Sequence, residues 1–237
     1  QALTTVQWSR MATDDVVALT TEQWSAMATD DLGAFVAAQW ADVAGSLTTT
    51  QWNAFSSAAL VALSSSQWSS MYTDDLVSFN TAQWAALGTD DLVALTTAQW
   101  SVLTPDDLRG LTTAQWSQLA TDDVHSLTSG QWSAMATDDL AALSTSQWQA
   151  LSTEGIRGLA TTTQWSVLDT ADLVALTTSQ WQAFETIDLR VLASTYWSAL
   201  ATDDLVALTT EQWSQMATDD LVVLTTAQWS ALATDDL

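Results

Sequence analysis

Large apolar residues recur along this chain at alternating intervals of five and three positions, as in Leu95, Trp100, Leu103, Leu108 and Leu111. On a 3.6-residue helix that spacing turns steadily around the axis instead of making a stripe, so one continuous helix does not fit. The chain must break once per octad. Two octads make one repeat, for example Leu95 to Gly110, in which the first carries Gln-Trp and the second Asp-Asp-Leu. Tryptophans mark the period: they stand at 8, 24, 40, 52, 68, 84, 100, 116, 132, 148, 165, 181, 197, 213 and 229, a spacing of 16 with one step of 12 and one of 17.

Helix-start signals fall where the pattern needs them. Thr96-Thr97-Ala98-Gln99 has the form of a capping box, whose threonine hydroxyl and glutamine amide satisfy orphan backbone groups at a helix start. In the other octad, Thr89-Asp90-Asp91 reads as a threonine cap ahead of two first-turn carboxylates, which the helix dipole favours. The only proline, Pro105, follows Thr104 and suits the first helical position. The expected fold is therefore all-α, a solenoid of tandem 16-residue repeats, each made of two short capped helices. A β-solenoid is the main competitor. Against it stand the seven glycines of the whole chain, the excess of alanine and leucine over valine and isoleucine, and the lack of period-two alternation.

Helices this short are unstable alone, so stacking must hold them, and a single repeat is expected to be unfolded while an array is cooperative. With each repeat forming one layer about 8–10 Å thick, the product would be elongated. Residues 1–237 read as a single continuous array, with bends expected at 41–47, where an octad is replaced by Ala44-Gly45-Ser46, and at 153–162, where a residue is inserted beside Gly155 and Gly158. Placing Gln1 after Leu237 continues the 16-residue phase from Trp229 to Trp8. The chain is expected to be cut from a longer array or to stack head to tail, the heterologous contact that does not close.

Composition narrows the possible partners. Twenty-eight acidic and four basic residues give a net charge of −24, which repels phosphate backbones and argues against nucleic acid and anionic membrane surfaces. No apolar run approaches a membrane span, so membrane insertion is not expected. The absence of cysteine removes disulfides and thiolate metal sites.

Candidate chemistry is sparse. Aspartate pairs recur at 14/15, 30/31, 74/75, 90/91, 106/107, 122/123, 138/139, 203/204, 219/220 and 235/236. Their position after a threonine reads as a solvated, dipole-favoured first turn. The alternative is calcium held between layers, which would be weak and screening, because each ion wants six to eight oxygens and no Asp-x-Asp-x-Asp-Gly loop is present. The tryptophans read as a buried ladder, with an exposed row for stacking sugars or pigments as the alternative. The glutamine before each tryptophan reads as a capping residue, and His125, without a second histidine or cysteine to pair with, as a surface residue. No Gly-x-Ser-x-Gly elbow or phosphate loop occurs, and no catalytic, cofactor-binding or metal-ligating residue is nominated. The chain is not expected to be an enzyme.

The phrase Thr-Thr-x-Gln-Trp-x-x-Leu, as in Thr225 to Leu232, resembles the Thr-x-x-Gln-apolar-x-x-Leu octads of large secreted or surface-attached bacterial proteins. The resemblance covers nearly the whole chain and departs from the usual isoleucine or valine by using tryptophan. It implies an extracellular acidic array built into adhesins, matrices or appendages. The expected function is thus a structural repeat protein forming an elongated extracellular scaffold, filament or stalk, self-associating head to tail or laterally. The alternatives are an adhesin module that binds glycan or another surface protein, and a calcium-responsive spacer.

Overall fold

A computed structural model describes residues 3–27, 31, 47–159 and 163–232. Among them are twenty-five α-helices of four to six residues, one 3-10 turn at Trp165–Val167, and no strand. The all-α expectation therefore holds. The chain divides into two compact units, Gln1–Leu119 and Ala120–Leu237. Each is an all-α solenoid of octads. The segments expected to bend fall partly outside the described residues, at 41–46 and 160–162.

The helices begin for different reasons in the two octads. In the tryptophan octad the capping box forms as read: Gln99 N–H donates to Thr96 Oγ1 at 3.3 Å, and Thr96 N–H donates to Gln99 Oε1 at 2.7 Å. In the aspartate octad the threonine lies one position further in. Thr73, Thr89, Thr137 and Thr202 are the first helical residues, and the N-caps are Tyr72, Gly88, Ala136 and Ala201, none with a side-chain cap. Pro105 shares that first helical position, and among the described residues only there does a threonine, Thr104, cap the octad, its hydroxyl accepting from Asp107 N–H at 3.3 Å. The second aspartate reaches back instead, as Asp91 Oδ2 accepts from Gly88 N–H at 2.9 Å.

The sequence repeats every two octads, but the stacking does not. In the first unit Thr81–Ala86 packs on Ser57–Val61 and on Pro105–Arg109, and Thr97–Trp100 packs on Thr73–Leu76. In the second, Ser129–Ser133 packs on Thr153–Gly158, and Thr202–Val206 on both Thr178–Ala183 and Thr226–Ala231. Each of these partners lies three octads away. A layer is thus longer than the single 16-residue repeat the sequence suggested.

Both octads send their large residue inward. Trp52, Trp68, Trp84, Trp100 and Trp116 of the first unit are fully buried, and so are Trp132, Trp148, Trp165, Trp181 and Trp197 of the second, together with Leu76, Leu92, Leu140 and Leu205. Phe79, at a leucine position, touches three indoles, with ring centroids 5.5 Å from Trp52, 5.9 Å from Trp68 and 5.6 Å from Trp84. In the second unit Phe184 stacks on Trp181 at 4.9 Å and 14°. Such ring pairs add to the burial of a large apolar surface.

One position of the aspartate octad is small in six successive repeats, although Val191 and Val223 occupy it further on. It holds Ser78, Ala94, Gly110, Ser126, Ala142 and Gly158 in successive repeats. A Cβ on Gly110 would lie 3.0 Å from the Thr81 Cα, and one on Gly158 would meet the Ser129 carbonyl oxygen and lie 2.6 Å from the Ser129 Cα. The obstacles are backbone, so neither can rotate away. Gly158→Ala is therefore expected to destabilise the second unit by about 1–3 kcal/mol through overpacking, read as a lower urea midpoint, whereas Gly130→Ala, with nothing within 4 Å of the added carbon, should leave it nearly unchanged.

Candidate functional site

The most elaborate polar arrangement recurs in seven of the tryptophan octads. A helix of four to six residues leaves most of its terminal N–H and C=O groups without partners inside the helix. Gln99 serves both kinds at once. Its Oε1 accepts from the Thr96 N–H and, at 3.0 Å, from the Thr96 hydroxyl, which caps its own helix. Its Nε2 donates to Trp68 O at 2.9 Å and to Met71 O at 2.8 Å, at the end of the helix four octads earlier. Gln83 does the same to Trp52 O and Phe55 O, and Gln115 to Trp84 O and Leu87 O. In the second unit Gln164, Gln180, Gln212 and Gln228 repeat the pattern. Where Tyr196 replaces the glutamine, its hydroxyl donates to Leu168 O at 2.9 Å, recovering one of the two bonds.

Capping was legible in the sequence; the second use of the amide was not, because nothing local indicates where Nε2 points. The fixed pairing of glutamine with tryptophan was the available signal.

The aspartate pairs divide by face. The first member is exposed in Asp74, Asp90, Asp106, Asp122, Asp138 and Asp203, as read. The second is buried: Asp75, Asp91, Asp107, Asp123, Asp139 and Asp204 are at most 8% exposed. The reading of both as solvated is corrected here, because the second position faces the core side of its helix, next to the inward leucine. There it meets the indole three octads earlier. Trp52 Nε1 donates to Asp75 Oδ1 at 2.9 Å, and Trp84 Nε1 to Asp107 Oδ1 at 3.1 Å.

Burial pushes the Asp75 carboxyl up to about 6, against the lowering pull of the Trp52 indole and the Tyr72 N–H, and the Asp74 charge adds to the rise. Asp123 and Asp139 also rise to about 6, through burial first and then the charges of Asp122 and Asp138. Asp91, Asp172 and Asp204 move in the same direction, again chiefly because burial disfavours the charged form.

Two of the four arginines are used locally. Arg109 pairs with Asp106 at 2.7 Å and Arg157 with Glu154 at 2.8 Å, both on exposed helix faces where such pairs add little stability. His125 is exposed, as read, yet its Nδ1 donates to Ala150 O at 2.7 Å on the helix three octads on. Arg190 Nε donates to Gln215 O in the same relation, at 3.2 Å. Both side chains therefore add a turn-to-turn bond at a helix C-terminus, where positive charge is favoured.

The fork between a buried tryptophan ladder and an exposed aromatic row is settled toward the ladder: eleven indole side chains are less than 2% exposed, and Trp229 is exposed at 37%. Among the described residues no group of three or more histidine, cysteine or acidic side chains is arranged to hold a metal ion, and no helix is long and apolar enough to cross a membrane. A surface cleft of about 420 Å³ lies in the second unit beside Glu185, Thr186, Thr209 and Glu211.

Fold and site together define an all-α tandem-repeat protein whose repeated polar residues bind its own backbone. Residues 69–105 match the family model of the ALTTAQ repeat, so that stretch is similar to a known repeat class. No curated protein matches the chain.

Gln99→Ala should lower the stability of the first unit by about 2–4 kcal/mol, because two buried carbonyls and a capping N–H lose their partner. Thr97→Ala, two residues earlier and exposed, should shift it by no more than about 0.5 kcal/mol; equal effects in urea titrations would contradict the assigned role. Intrinsic fluorescence should be blue-shifted and poorly quenched by acrylamide, as buried indoles require.

Proposed function

We propose that this chain is a non-enzymatic structural repeat protein, serving as an extracellular scaffold, filament or stalk that associates with further copies of itself. The observation that carries the reading is the glutamine amide. In seven tryptophan octads its Nε2 donates to two backbone carbonyls of an earlier turn. The most regular polar side chain is thereby committed to building the array. The match of residues 69–105 to a repeat family supports the same reading. So does the surface: net charge −24 with two of four arginines in local ion pairs makes nucleic acid an unfavourable partner. A cysteine-free chain needs no oxidative step to fold, which suits an exported array.

Negative-stain electron microscopy of the purified chain, run beside sedimentation velocity, tests the proposal. Filaments with an axial repeat matching one chain are expected. Monodisperse particles at every concentration would exclude self-assembly and favour a module that binds glycan or another surface protein.

A further inference from the structure

We propose that five buried carboxylates, Asp75, Asp91, Asp123, Asp139 and Asp204, make this array acid-strengthened, its turns tightening as protons bind them and loosening as those protons leave. The proposal goes beyond a structural role by giving the scaffold a switch.

The geometry behind it is the three-octad packing. Three is an odd number, so an aspartate octad stacks on tryptophan octads wherever the alternation is regular. The helices packed against five of the buried carboxylates carry no ionisable side chain, whereas the helix of Asp188 packs on Thr210–Gln215, which carries Glu211, and that of Asp220 on Ser194–Trp197, which carries Tyr196. Asp75 receives the indole of Thr49–Ala54 and its helix packs on Thr97–Trp100, the helix of Asp91 packs on Ser65–Ser70, and that of Asp123 on Thr145–Ala150. The helix of Asp139 packs on Trp165–Val167, and that of Asp204 on Thr178–Ala183 and Thr226–Ala231. The remaining charges stand on the same helices: Asp74, Asp90, Asp122 with His125, Asp138 and Asp203. Apart from His125, no cation on any of these helices compensates the buried charge, and five of the sites share this construction.

The direction follows from linkage. A carboxyl near 3.8 when unfolded and about 6 when folded binds its proton more readily in the folded chain. Stability is then highest below about pH 4, falls as pH rises through the folded value, and is flat above about pH 7. Each such group changes the folded-to-unfolded ratio by on the order of a hundredfold across that window, and three of them, one in the first unit and two in the second, sit at about 6.

Surface repulsion among exposed aspartates would act in the same direction, and salt separates the two causes, because it screens exposed charges and not buried ones. Urea unfolding of the full chain at about pH 5 and about pH 8, each in about 0.05 M and about 0.5 M salt, is the test. The midpoint should be higher at pH 5 in both salts. A midpoint that is flat, that rises with pH, or whose pH dependence vanishes in the higher salt overturns the proposal. The combined variant Asp75→Asn, Asp91→Asn, Asp123→Asn and Asp139→Asn should flatten the dependence, since it removes the buried charges; at position 75 the amide oxygen still accepts the Trp52 indole N–H. The matching exposed set, Asp74→Asn, Asp90→Asn, Asp122→Asn and Asp138→Asn, should keep it. The reverse outcome between the two sets would assign the effect to the surface.

Discussion

The structure rests on one constraint: helices of four to six residues cannot satisfy their own ends, so each turn of the solenoid must supply partners to another. The glutamine amide answers it with a single side chain. Its oxygen caps the helix on which it sits, while its nitrogen closes the end of a helix four octads earlier, as in Gln99 on Trp68 and Met71. Because the amide has one acceptor and two donor hydrogens, both of its functions are used in full. Substitution by glutamate would keep the cap and lose the bridge, and no other side chain of that length offers both.

That constraint explains why the sequence repeats at sixteen when the structural element is eight residues long. Packing partners lie three octads apart and the glutamine bridge spans four. An odd step pairs unlike octads, so an indole meets an aspartate and a leucine instead of a second indole, as Trp84 meets Asp107. An even step pairs like octads, so each glutamine finds the carbonyl of a tryptophan. An array of identical octads would stack indole on indole at every three-octad contact, and the core would be overfilled. The twelve-residue step between Trp40 and Trp52 tests the rule within the molecule. Counted in octads, Gln51 still reaches back four, but its partner is now Leu19 O, at 3.1 Å. Thr21–Ser25 still packs on Thr49–Ala54, and here both are tryptophan octads, with Phe55 filling the junction 5.2 Å from Trp24. Packing distance in octads is kept while the chemistry of the pair changes.

What could be read from the residues alone was whatever is decided within one octad. The break between helices, the capping box of Thr96 and Gln99, the place of Pro105 and the inward tryptophans all follow from neighbours in sequence. The threonine before Asp-Asp was read one position too early. Thr-Asp-Asp fits a cap or a first turn equally well, and the choice falls to the second aspartate, which reaches the N-cap N–H itself, as Asp91 does to Gly88. The burial of that aspartate, the bridge from Gln99 and the length of a layer were hidden for a common reason. Each depends on residues 23 to 32 positions away, and a strict repeat looks alike at every multiple of its period.

The same arithmetic bears on how so acidic a chain holds together. Charge of one sign destabilises a compact state by self-repulsion. Here the tryptophan octads are almost free of ionisable residues, and the odd packing step places them against the aspartate octads. Direct stacking of carboxylate on carboxylate is thereby avoided in the regular part of each unit. The first aspartate of each pair gives its charge to solvent, where water and salt attenuate it. At Asp75 and Asp91 the second carries a desolvation cost that no arginine offsets, and its nearest polar partner is a neutral indole or a backbone N–H. A lysine or arginine in the tryptophan octad would remove that cost, yet the chain has no lysine and places none of its arginines against a buried aspartate among the described ion pairs and hydrogen bonds. Stability at neutral pH therefore comes from the indole core and the glutamine bridges, with the buried carboxylates acting against it until they are protonated.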